Sequence, residues 1–188
     1  FVVRLGAPSH RLGALADPPV ELRRLLEKFG LDPGRFSGRL PEVRPELARA
    51  LRQKLASQGT PYPDLDDAAL IDNLHVHVFP NVMFNIMLPG YWLFRARPHE
   101  SDPNRMLFDF QEYERVPEDR PRPRPRHTRH RHGEVSLDAV LDQDARIMHE
   151  AQRGLRSSAA GPLRLGAQEG RLRHFHEVLA RRTGPSES

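Results

Sequence analysis

The sequence predicts an α+β fold, an antiparallel meander followed by long helices. Three observations predict it. From residue 73 the hydrophobic period changes from helical to two; four strand-like runs are then separated by short proline-bearing turns; and a long amphipathic stretch follows them in the chain. Short connections make neighbouring strands antiparallel. With 188 residues, 38% of them hydrophobic, the chain suits one domain with a sizeable core. It has no apolar run long enough to span a bilayer and no charged-then-apolar start, so neither a membrane span nor a signal peptide is expected, and a cytoplasmic location is. The chain opens on Phe1 rather than Met, and FVVRLGAP carries no helix or strand start signal. This reads as a chain that begins partway through a larger protein.

Residues 1–17 read as irregular. Pro18-Pro19 opens a helix over residues 20–29, which Gly30 stops, and a second helix is predicted over 46–56 with Leu47, Leu51 and Leu55 four apart. Between them LDPGRFSGRLPEVRP is a turn-rich loop. Each helix has a single apolar face, which suggests cover for a sheet. The strand-like runs are NLHVHVF, VMFNIML, YWLFRAR and RMLFDFQEYE, parted by Pro80-Asn81, Pro89-Gly90 and residues 98–104. Residues 117–132 form a Pro/Arg/His linker too polar to pack. Beyond it a long helix is predicted over 136–157, with Ser136 as N-cap, and a last one over about 168–182.

Zero cysteines exclude disulfides, thiolate nucleophiles and cysteine-ligated metal or iron–sulfur sites within this chain. The net charge of +4 is local: residues 120–132 hold six Arg and no acid, and only Lys28 and Lys54 are lysines. That segment has no aromatic residue to stack a base and is flanked by Glu118, Asp119 and Glu134, so a solvated linker is preferred to a nucleic-acid binder.

Asp144 draws attention by its position. At helical period Leu137, Leu141, Met148, Ala151 and Leu155 form one stripe, and Asp144 sits in its middle with no Arg or Lys three or four residues away. A carboxylate buried there needs a partner from elsewhere, either one of the many arginines or a metal. Asp142 lies about 200° round the helix, on the side expected to face water. In the first strand-like run His75 and His77 share one face with Asn73. That strip could present two imidazoles to a metal, line a ligand pocket, or simply face solvent. His174 and His176 have the same spacing but on a helix point apart, and His149 lies off the face of Asp144.

The FPN turn at Phe79-Pro80-Asn81, the Gln143-Asp144 pair, Gln152 with Gly154 and Leu155, Ser157, and a closing helix with Glu169 and Phe175-His176 together resemble the catalytic domain of the alpha subunit of Rieske-type aromatic-ring-hydroxylating oxygenases. The resemblance runs from about residue 72 to the end; residues 1–65 carry nothing diagnostic. It implies a helix-grip fold, a curved antiparallel sheet packed against a long C-terminal helix. It also implies that Asp144 is the carboxylate of a 2-His-1-carboxylate triad holding mononuclear Fe(2+). The strands flanking the FPN turn line the family's substrate pocket, which implicates Asn73, His75 and Asn85, and Val140, one turn before Asp144, is expected to face the same cavity.

Two features depart from the family. The family draws its histidine ligands from an upstream acid-x2-His-x4-5-His segment that this chain lacks; His127 and His132 have the separation, but Arg124 stands where the acid belongs. The family's [2Fe-2S] Rieske cluster needs cysteines, and there are none. The expectation is therefore the C-terminal portion of an oxygenase acting on an aromatic or similar small organic substrate with O2, fed by a reductase or ferredoxin, homo-oligomeric, and inactive as this fragment alone. The alternative is a helix-grip ligand-binding or interaction module without redox chemistry.

Overall fold

The computed structural model describes residues 15–158, 160–162 and 164–184, together with the backbone of Val2–Val3. The chain divides into two compact units, Phe1–Arg122 and Pro123–Ser188.

In the first unit, helix α1 (Val20–Lys28) starts after Pro19. It ends where Gly30 adopts φ +72° and Leu31 N donates to Leu26 O, a turn that needs a residue free of Cβ strain. Helix α2 (Val43–Ser57) begins three residues before the predicted start. Pro45 is tolerated there because the first turn has no intrahelical use for its missing N–H. The predicted loop between them holds two 3-10 turns, Pro33–Phe36 and Leu40–Glu42; in the first, the Asp32 carboxylate accepts from Gly34 N at 2.9 Å. A short helix α3 (Asp67–Ile71) went unforeseen, although Asp66 is a regular N-cap signal and its carboxylate accepts from Ala69 N at 2.7 Å.

The four predicted strands are present as β2 (Asn73–Val78), β3 (Val82–Met87), β4 (Gly90–Pro98) and β5 (Met106–Glu114), an antiparallel meander. A two-residue strand β1 (Val2–Val3) pairs with the start of β2, so the opening of the chain is not wholly irregular as expected. The fold class is α+β. Gly90 is required where β4 begins, since a Cβ on it would sit 1.9 Å from the carbonyl oxygen of Tyr113 on β5.

The expectation that the helices cover the sheet is corrected. Leu22 and Leu26 of α1 pack with Phe36 and Val43, while Leu47, Leu51 and Leu55 of α2 pack with Leu70 and Ile71 of α3. Each fully buried side chain of this size contributes roughly 1.5–3 kcal/mol, so the helices stabilise one another first. Leu88 of the β3–β4 turn and Tyr62 join that core from the side of the sheet. The start of β2 is tied to it by Arg44, whose guanidinium grips both oxygens of Asp72 at 2.7 and 3.2 Å. Among the described side chains of the sheet only Phe94 is buried.

In the second unit α4 (Ala139–Leu155) is capped by Asp138, not Ser136. The Asp138 carboxylate reaches Val140 N and Leu141 N at 2.8 and 2.9 Å, whereas the Ser136 hydroxyl instead donates to Asp142. Helix α5 (Gly170–Thr183) follows a 3-10 turn at Ala167–Glu169.

Residues 115–138 contain neither helix nor strand, and residues 118–138 are all exposed. A Pro- and Arg-rich segment that buries so little apolar surface should be cut first by protease. Brief trypsin treatment is expected to cleave within residues 120–131. Earlier cuts inside β2–β5 or α4, with that segment protected, would remove the linker assignment.

Candidate functional site

The meander sorts its side chains onto two faces by alternation and register. On one face His75 stands opposite Asn85, His77 opposite Met83, Asn85 opposite Trp92, Trp92 opposite Glu112, and Phe94 opposite both Met83 and Phe110. Asn73, two residues from His75, shares this face. The strip proposed from the first strand is thus brought against Asn85.

Beside the strip lies an aromatic floor that sequence reasoning passed over. The Trp92 and Phe110 rings meet edge to face at 5.5 Å, and Phe94 stacks on Phe110 at 5.4 Å and on Phe108 at 5.9 Å. The signal was available in the alternation Trp92/Phe94 and Phe108/Phe110. A cavity of about 190 Å³ is lined there by His77, Met83, Phe94, Ala96 and Phe108. A larger one of about 390 Å³ lies on the opposite face at the Pro89–Gly90 turn, lined by Tyr62, Ile86, Tyr91, Tyr113 and Arg115. It shares no residue with the predicted strip.

The polar groups on the first face are not equivalent. Asn73 Oδ1 and Asn85 Oδ1 are buried without a hydrogen-bond partner among the described residues. Such acceptors are uncommon, because a buried carbonyl left unpaired forfeits its hydration. Burial pushes the pKa of His75 down, which keeps its ring neutral at pH 7. On the other face Asp109 accepts from Arg95 and Arg97, at 2.8 Å from Arg95 Nε and at 2.9 and 2.8 Å from Arg97 Nε and Nη2, and these bonds hold its carboxyl at about 2. This is a structural clamp between β4 and β5.

In the second unit Asp144 is exposed, and so are Val140, Met148 and Leu155. The expectation of a carboxylate buried in an apolar stripe is corrected: α4 presents that stripe with no layer over it in its own unit. Asp144 makes no hydrogen bond or ion pair among the described residues, so its oxygens are open to a ligand. Val140 lies one turn earlier on the same helical face. Asp142 faces water as expected, and it also accepts from Ser136 Oγ at 2.5 Å and Leu137 N at 3.1 Å, bonds that lower its pKa. His149, given no role, stacks on His132 with ring centroids 5.7 Å apart. Among the described residues no three His, Cys, Asp or Glu side chains gather to hold a metal ion. The residues present therefore do not by themselves fit a mononuclear iron.

The profile of the ring hydroxylating alpha subunit (catalytic domain) family matches residues 18–184. The chain belongs to that family, and the match takes in α1 to α3, where the sequence alone offered nothing diagnostic. Membership places it among ring-hydroxylating oxygenases, which are oxidoreductases generally dependent on non-haem iron and served by a substrate, oxygen and electron-transfer partners. No curated protein and no solved structure matched the chain. No helix among the described residues is long and apolar enough to cross a membrane.

Proposed function

We propose that this chain is the C-terminal portion of the catalytic subunit of a cytoplasmic Rieske-type oxygenase that inserts oxygen from O2 into an aromatic or similar small organic molecule. The family match over residues 18–184 carries the reading. In it the Asn73, His75 and Asn85 strip and the Trp92/Phe94/Phe110 floor hold the substrate.

Asp144 is the one metal-ligating carboxylate that this chain contributes to the mononuclear Fe(2+). It is exposed in the described structure, and its oxygens have no partner there. The two histidine ligands and the [2Fe-2S] cluster come from sequence outside this chain, which holds no cysteine. Electrons arrive through a reductase or ferredoxin, and the subunit is a homo-oligomer. The chain's own contribution to the reaction is to orient the substrate's ring against the aromatic floor.

Anaerobic titration of the 188-residue chain with Fe(2+) tests the assignment. Weak binding and no turnover with a reductase are expected, because one carboxylate cannot replace a three-residue set. Tight one-to-one binding would transfer the ligand role to His75, His77, His127 and His132. Turnover by the chain alone would overturn the reading.

A further inference from the structure

Two buried carbonyl oxygens with nothing to accept from lie on one face of the sheet. Asn85 Oδ1 and Asn73 Oδ1 both lack a partner among the described residues. Asn85 is directly opposite His75, and Asn73 is its diagonal neighbour, so the two Cα atoms are roughly 7–8 Å apart. Trp92, paired with Asn85 on the next strand, and the Phe94/Phe110 stack supply a flat apolar wall alongside.

We infer that Asn73 and Asn85 recognise a hydrogen-bond-donating substituent, a hydroxyl or amino group, on an aromatic substrate whose ring lies against Trp92. The inference rests on the functional reading above and adds the substrate class to it. An unpaired buried acceptor is destabilising in the empty protein, and a ligand donor removes that cost on binding. A hydrocarbon of the same shape leaves both oxygens orphaned and is rejected for that reason, not by size. His75, neutral at pH 7, places no positive charge beside the amides, so a neutral phenol or aromatic amine suffices.

Trp92 is the chain's only tryptophan, and it stands opposite Asn85, so its fluorescence reports on this face. The 188-residue chain is titrated with 4-methylphenol and with 1,4-dimethylbenzene, which differ by hydroxyl against methyl. The phenol is expected to bind about tenfold tighter, against the order of their hydrophobicities, since one hydrogen bond to a buried acceptor is at stake. Asn85→Leu and Asn73→Leu are expected to remove most of that preference while changing hydrocarbon binding by less than about twofold. Asn85→Asp keeps the acceptor oxygens and is expected to retain it, which guards against a leucine variant that fails to fold. Equal binding of the two ligands, preference for the hydrocarbon, or a preference that survives both leucine substitutions would overturn the inference and leave the pocket standing. If neither ligand perturbs Trp92, the pocket fails, and the functional reading of this face fails with it.

Discussion

Asp144→Ala in the complete subunit is expected to lose its mononuclear iron, and turnover is expected to fall by at least about a hundredfold, while the visible absorbance of the Rieske cluster is unchanged. A facial triad depends on its carboxylate for charge neutralisation as well as for geometry, and weakening even the outer partners of a metal ligand costs about 10–100-fold. Stability should shift by no more than about 0.5 kcal/mol, because the side chain is exposed and without partners among the described residues. Iron content by elemental analysis and the thermal midpoint check the two halves separately. Asp142→Ala is the comparison, though not an inert one. It removes the acceptor for Ser136 Oγ and Leu137 N at the start of α4, so it should lower the thermal midpoint slightly and leave the iron in place. If the Asp142 variant loses iron and the Asp144 variant keeps it, the ligand assignment is wrong.

Arg44→Ala should be the most damaging single change outside the helical core, at about 3 kcal/mol, or a fall of roughly 10 °C or more in thermal midpoint. The Asp72 side chain is only 7% exposed, and Arg44 holds it with two hydrogen bonds. Removing the guanidinium leaves an uncompensated carboxylate where water reaches poorly. Removing both partners is milder, because no charge is then stranded, so Arg44→Met with Asp72→Leu should be more stable than Arg44→Ala. Asp72 immediately precedes Asn73, so the pair also fixes where β2, the strand of Asn73 and His75, leaves the helical core. Urea unfolding of the single and double variants decides the matter; a cost below about 1 kcal/mol for Arg44→Ala would make this an ordinary surface pair.

The sequence by itself determined the meander, because period-two alternation and the turns at Pro80-Asn81 and Pro89-Gly90 are local signals that specify strands, faces and antiparallel order together. It also determined the family, through motifs spaced along the chain, and the period-two alternation put Asn73, His75 and His77 on one face of the first strand of the meander. It misread what depends on neighbours distant in sequence. The apolar faces of α1 and α2 are compatible with a sheet or with other helices, and only packing decided that they bury against Phe36, Val43, Leu70 and Ile71. The apolar stripe of α4 implied a buried Asp144, yet periodicity records which residues share a face and not whether anything covers it. Asp142 does face water as its helical position implied, but its partners, Ser136 and Leu137, are met only where the chain turns into the helix. The orphaned oxygens of Asn73 and Asn85 were equally invisible, since an unsatisfied acceptor is defined by the absence of every other group in the fold from its hydrogen-bonding range.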